Sequence, residues 1–538
     1  MPIDLSRRQF TRAGAAVSLA ALLPRGAFSN STAGKRAVVH ADQAIATIRP
    51  ELHSHFVEHL GSCAYGGIWV GRKSPIENID GFRKATVDYL KELGVPVLRW
   101  PGGCFADDYH WREGIGPADK RPKRVNVNWG GYTEDNSFGT HEFLAFCKLI
   151  GAQPYLAANV GTGSPQEVRD WIEYCNYPKG TALSDERAAN GSPEPFNVRY
   201  WGVGNELWGC GGNFLPQAAA AEFRRYATFA RLIGDDRPNG RSVYLVGCGP
   251  SGDDSAWTRG FMEGLGNGPR PNGFSMHYYV NGANDPVQFT PESMYTQLNV
   301  FPRVEQSLIH QRTLLDGYDP NRQMGLILDE WGVWDRLPNT DPRGKLWQQS
   351  SMRSAVAAGL GLNIFNRQAD KLFMCNIAQM VNVLQSVLLT DGPEGRNCVR
   401  TTTYYAFLLF KPHRSKQALR VDYDGSQLPV QGTGRGGQQA PAPPPELSVS
   451  ASRQASELVI SFVNPRHDVD MDVDCAIRGA AAQSGSAQIL HDPDINASNS
   501  FDNPDRVTIK KHDVAVESGG IKITLPAMSV ATVTLRVA

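Results

Sequence analysis

The sequence predicts an α/β fold, a (β/α)8 TIM barrel with a C-terminal antiparallel β-sandwich domain, on three observations. The chain has 538 residues, and a barrel of about 250 or more residues plus a smaller domain fits this length better than one ordinary domain. Between about residues 50 and 385, strand-like apolar runs alternate with helical patterns, which is typical of a barrel. After about residue 395 the pattern changes to short segments of alternating polarity, which favours a sandwich.

Residues 1–30 are predicted to be a twin-arginine export signal. Arg7 and Arg8 precede a short apolar run, Ala13–Leu23. The run is too short to span a bilayer as a mature helix, and paired arginines before such a run are typical of bacterial export signals. We therefore expect a periplasmic or secreted bacterial protein that does not associate with a membrane after export. An ordinary basic tail is the alternative.

The predicted barrel covers residues 50–390 and contains eight candidate strands. They are His53–Glu58, Val95–Pro101, Gln153–Val160, Val198–Asn205, Ser242–Gly247, Gly273–Tyr279, Gly325–Glu330 and Lys371–Ala378. Helical patterns between them are Gly81–Leu93, Thr140–Ile150, Pro165–Tyr174, Pro216–Ile233, Pro291–Leu315 and Gln348–Asn366. The first two connections after strands are long, as active-site loops often are.

The predicted sandwich covers residues 391–538, and residues 35–49 are expected to add a strand to it. A low-complexity loop includes Gly432–Gly437 and Ala440–Pro445. The candidate strands are Leu447–Ala451, Glu457–Val463, Val469–Ile477, Ala487–Leu490, Ile521–Leu525 and Val530–Val537.

Composition excludes several classes of function. Lys plus Arg and Asp plus Glu number 54 each, so charge gives no reason to expect a nucleic acid or an anionic membrane as a partner. None of the nine cysteines lies in a C-x-x-C pair, which argues against a zinc ribbon or a thioredoxin motif. Cysteine spacing alone does not pair them, and the odd count leaves at least one thiol free unless chains are cross-linked. We expect no metal and no cofactor.

Two of the predicted barrel strands end in carboxylates with polar neighbours. Strand four ends in Asn205-Glu206 and strand seven in Asp329-Glu330. Catalytic groups of barrels lie at the carboxyl ends of the strands, and strands four and seven face each other across the mouth. Each acid alone has an ordinary alternative, as a solvated surface group, a helix N-cap or one half of a salt bridge.

Together, the two glutamates point to glycoside hydrolysis. One carboxylic acid must protonate the leaving oxygen, and a second carboxylate must attack the sugar or activate water. A separation of roughly 5–5.5 Å lets the second acid form a glycosyl-enzyme, so that the anomeric configuration is retained. The acid also needs a raised pKa, which burial and a neighbouring carboxylate would provide.

Seven segments carry a resemblance to a known family. In chain order they are Phe56–Gly61, Leu98–Phe105, Asn136–Thr140, Trp201–Glu206, Ser275–Tyr279, Asp329–Trp331 and Asn376–Gln379. With them the chain resembles the family-51 glycoside hydrolases, the α-L-arabinofuranosidases, across nearly the whole barrel region. The family's fold is a barrel with a C-terminal β-sandwich, as the patterns above also predict.

The resemblance implies a role for each matching site residue. Glu206 matches the acid/base and Glu330 the nucleophile. Asn205 matches the residue that holds the sugar's 2-hydroxyl, and His277 matches a histidine beside the acid/base. Tyr279 matches a tyrosine that orients the nucleophile, and Arg99 matches an arginine near it. Glu58 and Gln379 match side chains that hold the outer hydroxyls. Cys104 matches a position whose side chain contacts sugar hydroxyls, where some members carry Asn and another branch carries Cys. A thiol is a weaker hydrogen-bond partner than an amide, so we expect a weaker contact there.

Several of these residues have structural alternatives. Glu58 would then be a buried paired acid, Arg99 a structural ion pair, Gln379 a backbone cap and His277 a core histidine with a supporting role. A metal site of Cys104 with His277 and the glutamates is disfavoured, because no ligand spacing suggests one. Whether Trp100, Trp208 and Trp331 line the sugar or belong to the core is left open.

We therefore expect an exo-acting retaining α-L-arabinofuranosidase that acts on arabinose-containing hemicellulose or pectin fragments. The alternatives are the same mechanism on a β-D-galactofuranoside, a xyloside or a glucan, a non-catalytic carbohydrate-binding protein, and a metal-dependent barrel hydrolase. By resemblance alone the protein is also expected to form a homo-oligomer.

Overall fold

The computed structural model describes residues 31–234, 243–281, 285–336, 341–425 and 446–538. The predicted export signal, the predicted low-complexity loop and Ser242, the first residue of the predicted fifth strand, lie outside the described residues.

Eight parallel strands close into a barrel in sequential order. Numbered 1 to 8 along the chain, the barrel strands are Ser54–Phe56, Val97–Trp100, Gln153–Ala158, Tyr200–Val203, Tyr244–Gly247, Gly273–Asn281, Gly325–Trp334 and Leu372–Ile377. Each pairs with the next, and barrel strand 8 pairs with barrel strand 1 through Asn376–Ser54 and Ile377–His55. The predicted barrel is therefore confirmed, and all eight strands coincide with predicted ones.

The described residues form ten α-helices. They are Lys84–Leu93, Thr140–Ile150, Pro165–Asn176, Ala182–Ala189, Pro216–Gly234, Ser255–Leu265, Pro291–Leu298, Phe301–Tyr318, Met352–Arg367 and Thr402–Phe410. Local chemistry fixes several ends. Helix Pro165–Asn176 begins with Pro165 after Ser164, whose hydroxyl accepts from the Glu167 amide, and Gly94 and Gly151 end two helices in the left-handed conformation.

The helix prediction for Pro291–Leu315 was wrong in one respect. The chain forms two helices there, separated at Asn299 and Val300, and Pro302 lies in the first turn of the second. Proline has no amide hydrogen and is tolerated only in the first turn of a helix, so one continuous helix is excluded. Helices Ala182–Ala189, Ser255–Leu265 and Thr402–Phe410 were not predicted.

A second domain is built on one ten-stranded sheet. In spatial order its strands are Lys510–His512, Ala482–His491, Ser529–Val537, Glu457–Asn464, Ser448–Gln454, Gln417–Tyr423, Ser31–Thr47, Val469–Arg478, Gly520–Leu525 and Ala515–Glu517. Ile489 and Ile523 come from strands far apart in this order but share one hydrophobic core, so the sheet folds over on itself. This confirms the predicted sandwich.

The strand expected from residues 35–49 is present as Ser31–Thr47 in the middle of this sheet. It runs antiparallel to Gln417–Tyr423 but parallel to Val469–Arg478. All other pairings within the described part of this sheet are antiparallel. The division between the domains near residue 390 stays a prediction.

Helix Met352–Arg367 lies between the two domains. Gly359 approaches Val463 and Val530 so closely that an added Cβ would lie 2.9 and 3.3 Å from their side chains. Asn363 donates to Ser448 and Asn366 to Ser450. The helix therefore connects the sandwich to the barrel and fixes the position of the sandwich strands against it.

None of the helices in the described ranges combines the length and the hydrophobicity that crossing a bilayer requires.

Candidate active site

All nine predicted site residues lie at the carboxyl end of the barrel. Two stand within barrel strand 6 and one each within barrel strands 2 and 7, and the others follow strands 1, 2, 4 and 8 by a few residues. In chain order they are Glu58, Arg99, Cys104, Asn205, Glu206, His277, Tyr279, Glu330 and Gln379. This is the end of the barrel where parallel strands of such folds present reactive side chains.

His277 brings the two central glutamates together. Its Nδ1 lies 2.9 Å from Oε1 of Glu206 and 3.7 Å from Oε2 of Glu330. One oxygen of each carboxylate and this nitrogen lie within 4.8 Å of one another. This approach is closer to the roughly 5–5.5 Å carboxyl separation of retaining glycosidases than to the roughly 6.5–9.5 Å of inverting enzymes.

A β-bulge places these side chains. His277 pairs with Glu330 across barrel strands 6 and 7, whereas the preceding pair is Met276 with Leu328, so Asp329 is the extra residue. Bulges re-aim side chains near active sites. Asp329 accepts from Tyr155 and Asn376 at 2.9 and 2.8 Å, while Glu330 reaches the mouth.

Glu330 is held as an anion. Arg99 donates from Nη1 to its Oε1 at 2.8 Å, and the Tyr279 hydroxyl donates to its Oε2 at 2.7 Å. Burial alone would raise the pKa of Glu330, but the charges of His277 and Arg99 and the two hydrogen bonds outweigh it and hold the pKa below its ordinary value. An ionised carboxylate is the form that can attack an anomeric carbon.

His277 is the second group beside Glu330 whose pKa is shifted towards the charged form. Burial lowers its pKa, yet the neighbouring Glu330 and Glu206 carboxylates have the larger combined effect and leave the pKa raised above its usual value. The interpretation of His277 as a plain core histidine is therefore incomplete, because its ring contacts both glutamates.

Arg99 and Asn205 connect the two sides of the mouth. Nη2 of Arg99 donates to Oδ1 of Asn205 at 2.7 Å. The Asn205 backbone amide donates to Oδ2 of Asp107 at 2.7 Å, and Oδ1 of Asp107 accepts from the Val160 amide. Asn205 thus keeps its side-chain NH2 pointed away from Arg99, and its orientation is fixed from two directions.

Glu206 itself adopts an unusual backbone conformation. Its φ is +42°, in the left-handed region that non-glycine residues seldom occupy. The turn behind it is closed by the amides of Gly209 and Gly211, which both donate to the Glu206 carbonyl. Such strain is characteristic of positions where function requires one side-chain direction.

Glu58 forms a separate pocket with neutral partners. Oε1 accepts from Nε1 of Trp129 at 2.8 Å and from the Phe105 amide at 3.0 Å, and Oε2 accepts from Nε2 of Gln379 at 3.0 Å. Burial, followed by the charge of Glu330, raises the pKa of Glu58 to about 8. A Cβ at position 103 would lie 2.6 Å from both carboxyl oxygens, so only glycine fits there.

The prediction of a free thiol at position 104 was wrong. Cys104 forms a disulfide with Cys210, whose Cα lies 5.5 Å away. The two sulfurs lie 3.8 and 3.4 Å from Oε2 of Glu206, but a disulfide sulfur carries no hydrogen, so neither contact is a hydrogen bond. The other seven cysteines are unpaired.

Sequence reasoning missed three residues of this site. Trp129 contacts Glu58, Asp107 positions Asn205, and Cys210 pairs with Cys104. No local pattern marks Trp129 or Asp107, whereas the position of Cys210 four residues after Glu206 was a usable signal. The open question of the tryptophans is settled in part, since Trp100 and Trp331 are buried in the core while Trp208 is only partly buried.

Two family models match the chain. The α-L-arabinofuranosidase 1 domain matches residues 89–297, and the α-L-arabinofuranosidase C-terminal domain matches residues 329–529. Between them they cover most of the barrel and the sandwich strands from Gln417–Tyr423 to Gly520–Leu525.

Individual relatives agree with the models. An intracellular exo-α-L-arabinofuranosidase of Bacteroides ovatus is 39% identical over 506 residues, covering 93% of this chain and 95% of that protein. An α-L-arabinofuranosidase C of Emericella nidulans is 35% identical over 69% of this chain and 73% of its own length. Among solved structures, the GH51 arabinofuranosidase of Xanthomonas axonopodis pv. citri superposes with a TM-score of 0.86 at 37% identity, over 94% of this chain and 100% of that one.

Proposed function

Because the chain belongs to the α-L-arabinofuranosidases of glycoside hydrolase family 51, a family of retaining glycosidases, we propose that Glu330 and Glu206 are its nucleophile and acid/base in releasing terminal α-L-arabinofuranosyl residues. The observation that carries the assignment is the approach of the two carboxylates to within 4.8 Å around His277. At this distance one carboxylate reaches the anomeric carbon while the other reaches the glycosidic oxygen.

The first half-reaction follows from the contacts of Glu330. Arg99 and Tyr279 fix the direction of its carboxylate, so an oxygen faces the anomeric carbon when the furanose enters. Glu206 gives its proton to the leaving oxygen as the glycosidic bond breaks, and Glu330 forms an ester with the sugar. The leaving alcohol then departs through the mouth, where Glu206 is the more exposed glutamate, with 17% of its side chain accessible.

The second half-reaction reverses the role of Glu206. Its carboxylate takes a proton from an incoming water, which attacks the anomeric carbon on the face that the alcohol left. Arabinose is released with its original anomeric configuration, and Glu330 returns to the ionised state that Arg99 and His277 favour.

The remaining residues are proposed to hold the sugar ring. The Asn205 amide NH2 donates one hydrogen to Sγ of Cys210 at 3.9 Å, and its second hydrogen would go to the 2-hydroxyl. A bond there would tighten as charge develops at the anomeric carbon. Glu58 and Gln379 form a joined pair suited to the outer hydroxyls, since a protonated Glu58 both donates and accepts. Cys104 borders the site through its sulfur only.

Paired variants test the two catalytic assignments. Glu330→Gln should abolish turnover of aryl α-L-arabinofuranosides, because no nucleophile remains. Glu206→Ala should still form the glycosyl-enzyme from substrates with good leaving groups but should lose activity on substrates with poor ones. Added azide should restore turnover of the substrates with good leaving groups, because azide attacks the glycosyl-enzyme without a general base. Normal turnover by Glu330→Gln would overturn the proposal.

An assay panel tests the substrate. Rates with aryl α-L-arabinofuranoside, β-D-galactofuranoside, β-D-xyloside and β-D-glucoside should favour the first, and arabinose-containing hemicellulose or pectin fragments are the expected natural substrates. Activity unchanged by a chelator is expected for a mechanism that uses two carboxylates, whereas loss of activity would support a metal-dependent hydrolase.

We also propose export and self-association. The paired arginines at positions 7 and 8 support export, and a disulfide at the mouth is compatible with an oxidising compartment. The Bacteroides ovatus relative is named as intracellular, so fractionation of the host cell with and without Arg7→Lys/Arg8→Lys is the deciding experiment. Sedimentation measures the oligomeric state.

A further inference from the structure

The Cys104–Cys210 pair occupies a position that the proposed reaction does not use. Cys104 follows barrel strand 2, and Cys210 lies four residues beyond Glu206 in the loop after barrel strand 4. Both sulfurs contact the same oxygen of Glu206, at 3.8 and 3.4 Å. The other oxygen of Glu206 belongs to His277.

The loop is shaped to bring these groups together. An added Cβ on Gly211 would lie 2.0 Å from the Asn205 carbonyl oxygen and 2.7 Å from the Asp107 carboxylate, so position 211 admits only glycine. The chain thereby turns back over Asn205 and delivers Cys210 to Cys104. The arrangement of two sulfurs and one carboxylate is thus built into the backbone.

These three groups have the geometry of a soft-metal site once the disulfide is reduced. A tetrahedral zinc site with Zn–S bonds of about 2.3 Å and a Zn–O bond of about 2.0 Å places sulfur and oxygen about 3.5 Å apart. The sulfur–oxygen distances are already 3.4 and 3.8 Å, and cleaving the S–S bond lets the sulfurs separate by rotation of their side chains. Thiolates select zinc and similar thiophilic cations over hard ones.

We propose that the reduced form of this pair binds a thiophilic divalent cation through Cys104, Cys210 and Glu206, and that the disulfide keeps this inhibitory site closed. The bound cation takes Oε2 of Glu206, which then neither carries nor accepts the proton of the reaction. The inhibition rests on the proposed acid/base role of Glu206, whereas the binding does not.

The reducing step is accessible and balanced. Cys210 is exposed and Cys104 partly so. A phosphine reductant gives two electrons to the disulfide and takes the oxygen of one water molecule as phosphine oxide, while the two protons of that water go to the sulfurs. Metal binding then displaces protons from both thiols.

The first measurement counts thiols and then measures binding. Phosphine treatment of the folded full-length enzyme, followed by desalting, should expose two additional thiols. Titration with Cd²⁺ should then produce the ultraviolet sulfur-to-cadmium charge-transfer band, which the oxidised enzyme should lack. Failure to release two thiols, or an equal band in both forms, overturns the proposal.

Variants separate this site from the other cysteines. The double variant Cys104→Ser/Cys210→Ser should show no band after the same treatment, while Cys398→Ser, a partly buried cysteine outside the site, should show the full band. Each single variant should bind at least about tenfold more weakly, because it supplies one thiolate instead of two. Thermal unfolding of every variant checks that it is folded.

The activity assay distinguishes this inference from the proposed function. Zn²⁺ should inhibit the reduced enzyme at a concentration about tenfold or more below that needed for the oxidised enzyme, and a chelator should restore the rate. A cadmium band without any inhibition would overturn the proposal that the cation takes Oε2 of Glu206, whereas the acid/base role of Glu206 is tested separately by the leaving-group dependence of Glu206→Ala. Inhibition that survives in the double variant would reject the site.

Discussion

Glu58 and Glu330 are two buried glutamates at the same barrel mouth, and they carry opposite electrostatic states. Glu58 is 2% exposed and Glu330 4%. The pKa of Glu58 is raised to about 8, whereas that of Glu330 is lowered. Burial favours the neutral acid in both cases, so the difference must come from their partners.

Those partners differ in charge. Glu330 faces the guanidinium of Arg99, which lies over the Phe56 ring at 4.7 Å, and the ring of His277. Glu58 accepts only from the neutral groups of Trp129, Phe105 and Gln379, and it also experiences the negative charge of Glu330. Cations keep a buried carboxylate ionised, while neutral donors leave a buried acid able to give as well as accept a hydrogen bond.

Removing the guanidinium of Arg99 should have the largest effect on the difference in pKa between Glu330 and Glu58. Arg99→Met leaves Glu330 buried beside one cation instead of two, and such uncompensated burial costs about 3–5 kcal/mol. We expect kcat/KM to fall by about 10² to 10³-fold or more. The acidic limb of the pH–rate profile should move to higher pH because the pKa of Glu330 rises. Arg112→Met, which removes an exposed ion pair with Glu186, is the control and should leave the profile unchanged.

The raised pKa of Glu58 should appear in the stability of the fold. In the unfolded chain Glu58 titrates near its ordinary pKa of about 4.3, and in the folded chain near 8, so the native state binds more protons between these values. Stability therefore falls as pH rises through this window. From pH 5 to pH 8 the loss should be on the order of 3 kcal/mol more than in Glu58→Gln, as measured by denaturant unfolding. An identical pH dependence of the two proteins would show that Glu58 is ionised in the fold.

Removing one hydrogen bond to Glu330, the proposed nucleophile, should lower the rate by a smaller factor. Tyr279→Phe removes the 2.7 Å donor to Oε2 of Glu330 and leaves Arg99 in place. Bonds to charged groups contribute about 1.5–3 kcal/mol, so kcat should fall by about 10 to 100-fold. The retained anomeric configuration, followed by NMR, should not change. A rate equal to the wild type would show that Arg99 alone orients the Glu330 carboxylate.

The smallest change concerns the neutral pocket. Trp129→Phe keeps an aromatic ring at this position but removes the indole N–H that donates to Glu58. Losing a donor that favours the ionised form should raise the pKa of Glu58 further. We expect the loss of about 1 kcal/mol of binding free energy to increase KM several-fold, with kcat nearly unchanged. Trp111→Phe, whose indole donates to the Glu167 carbonyl away from the site, is the matched control.

The fold and the two central glutamates could be predicted because their signals are local. Each barrel strand is a short apolar run, and Glu206 and Glu330 stand where two such runs end. The other predicted site residues have no such signal, and only the resemblance to a known family pointed to them. The break between helices at Asn299 and Val300 was missed because the apolar pattern continues across it.

What the sequence hid are contacts between distant segments. Trp129 and Glu58 are 71 residues apart, Asn205 and Asp107 are 98 apart, and the paired cysteines are separated by 106. No window of sequence contains both members of such a pair. The opposite pKa directions of Glu58 and Glu330 depend on these contacts and therefore needed the fold.

Strand Ser31–Thr47 has a practical consequence for anyone who wishes to take the molecule apart. It stands between Gln417–Tyr423 and Val469–Arg478, so the sandwich is assembled from both sides of the barrel in the chain. A single cut near residue 390 would strip the C-terminal piece of an inner strand and leave two sheet edges open to aggregation. Domain exchange with a relative should therefore transfer residues 31–47 together with the C-terminal half, or join them to it through a circular permutation.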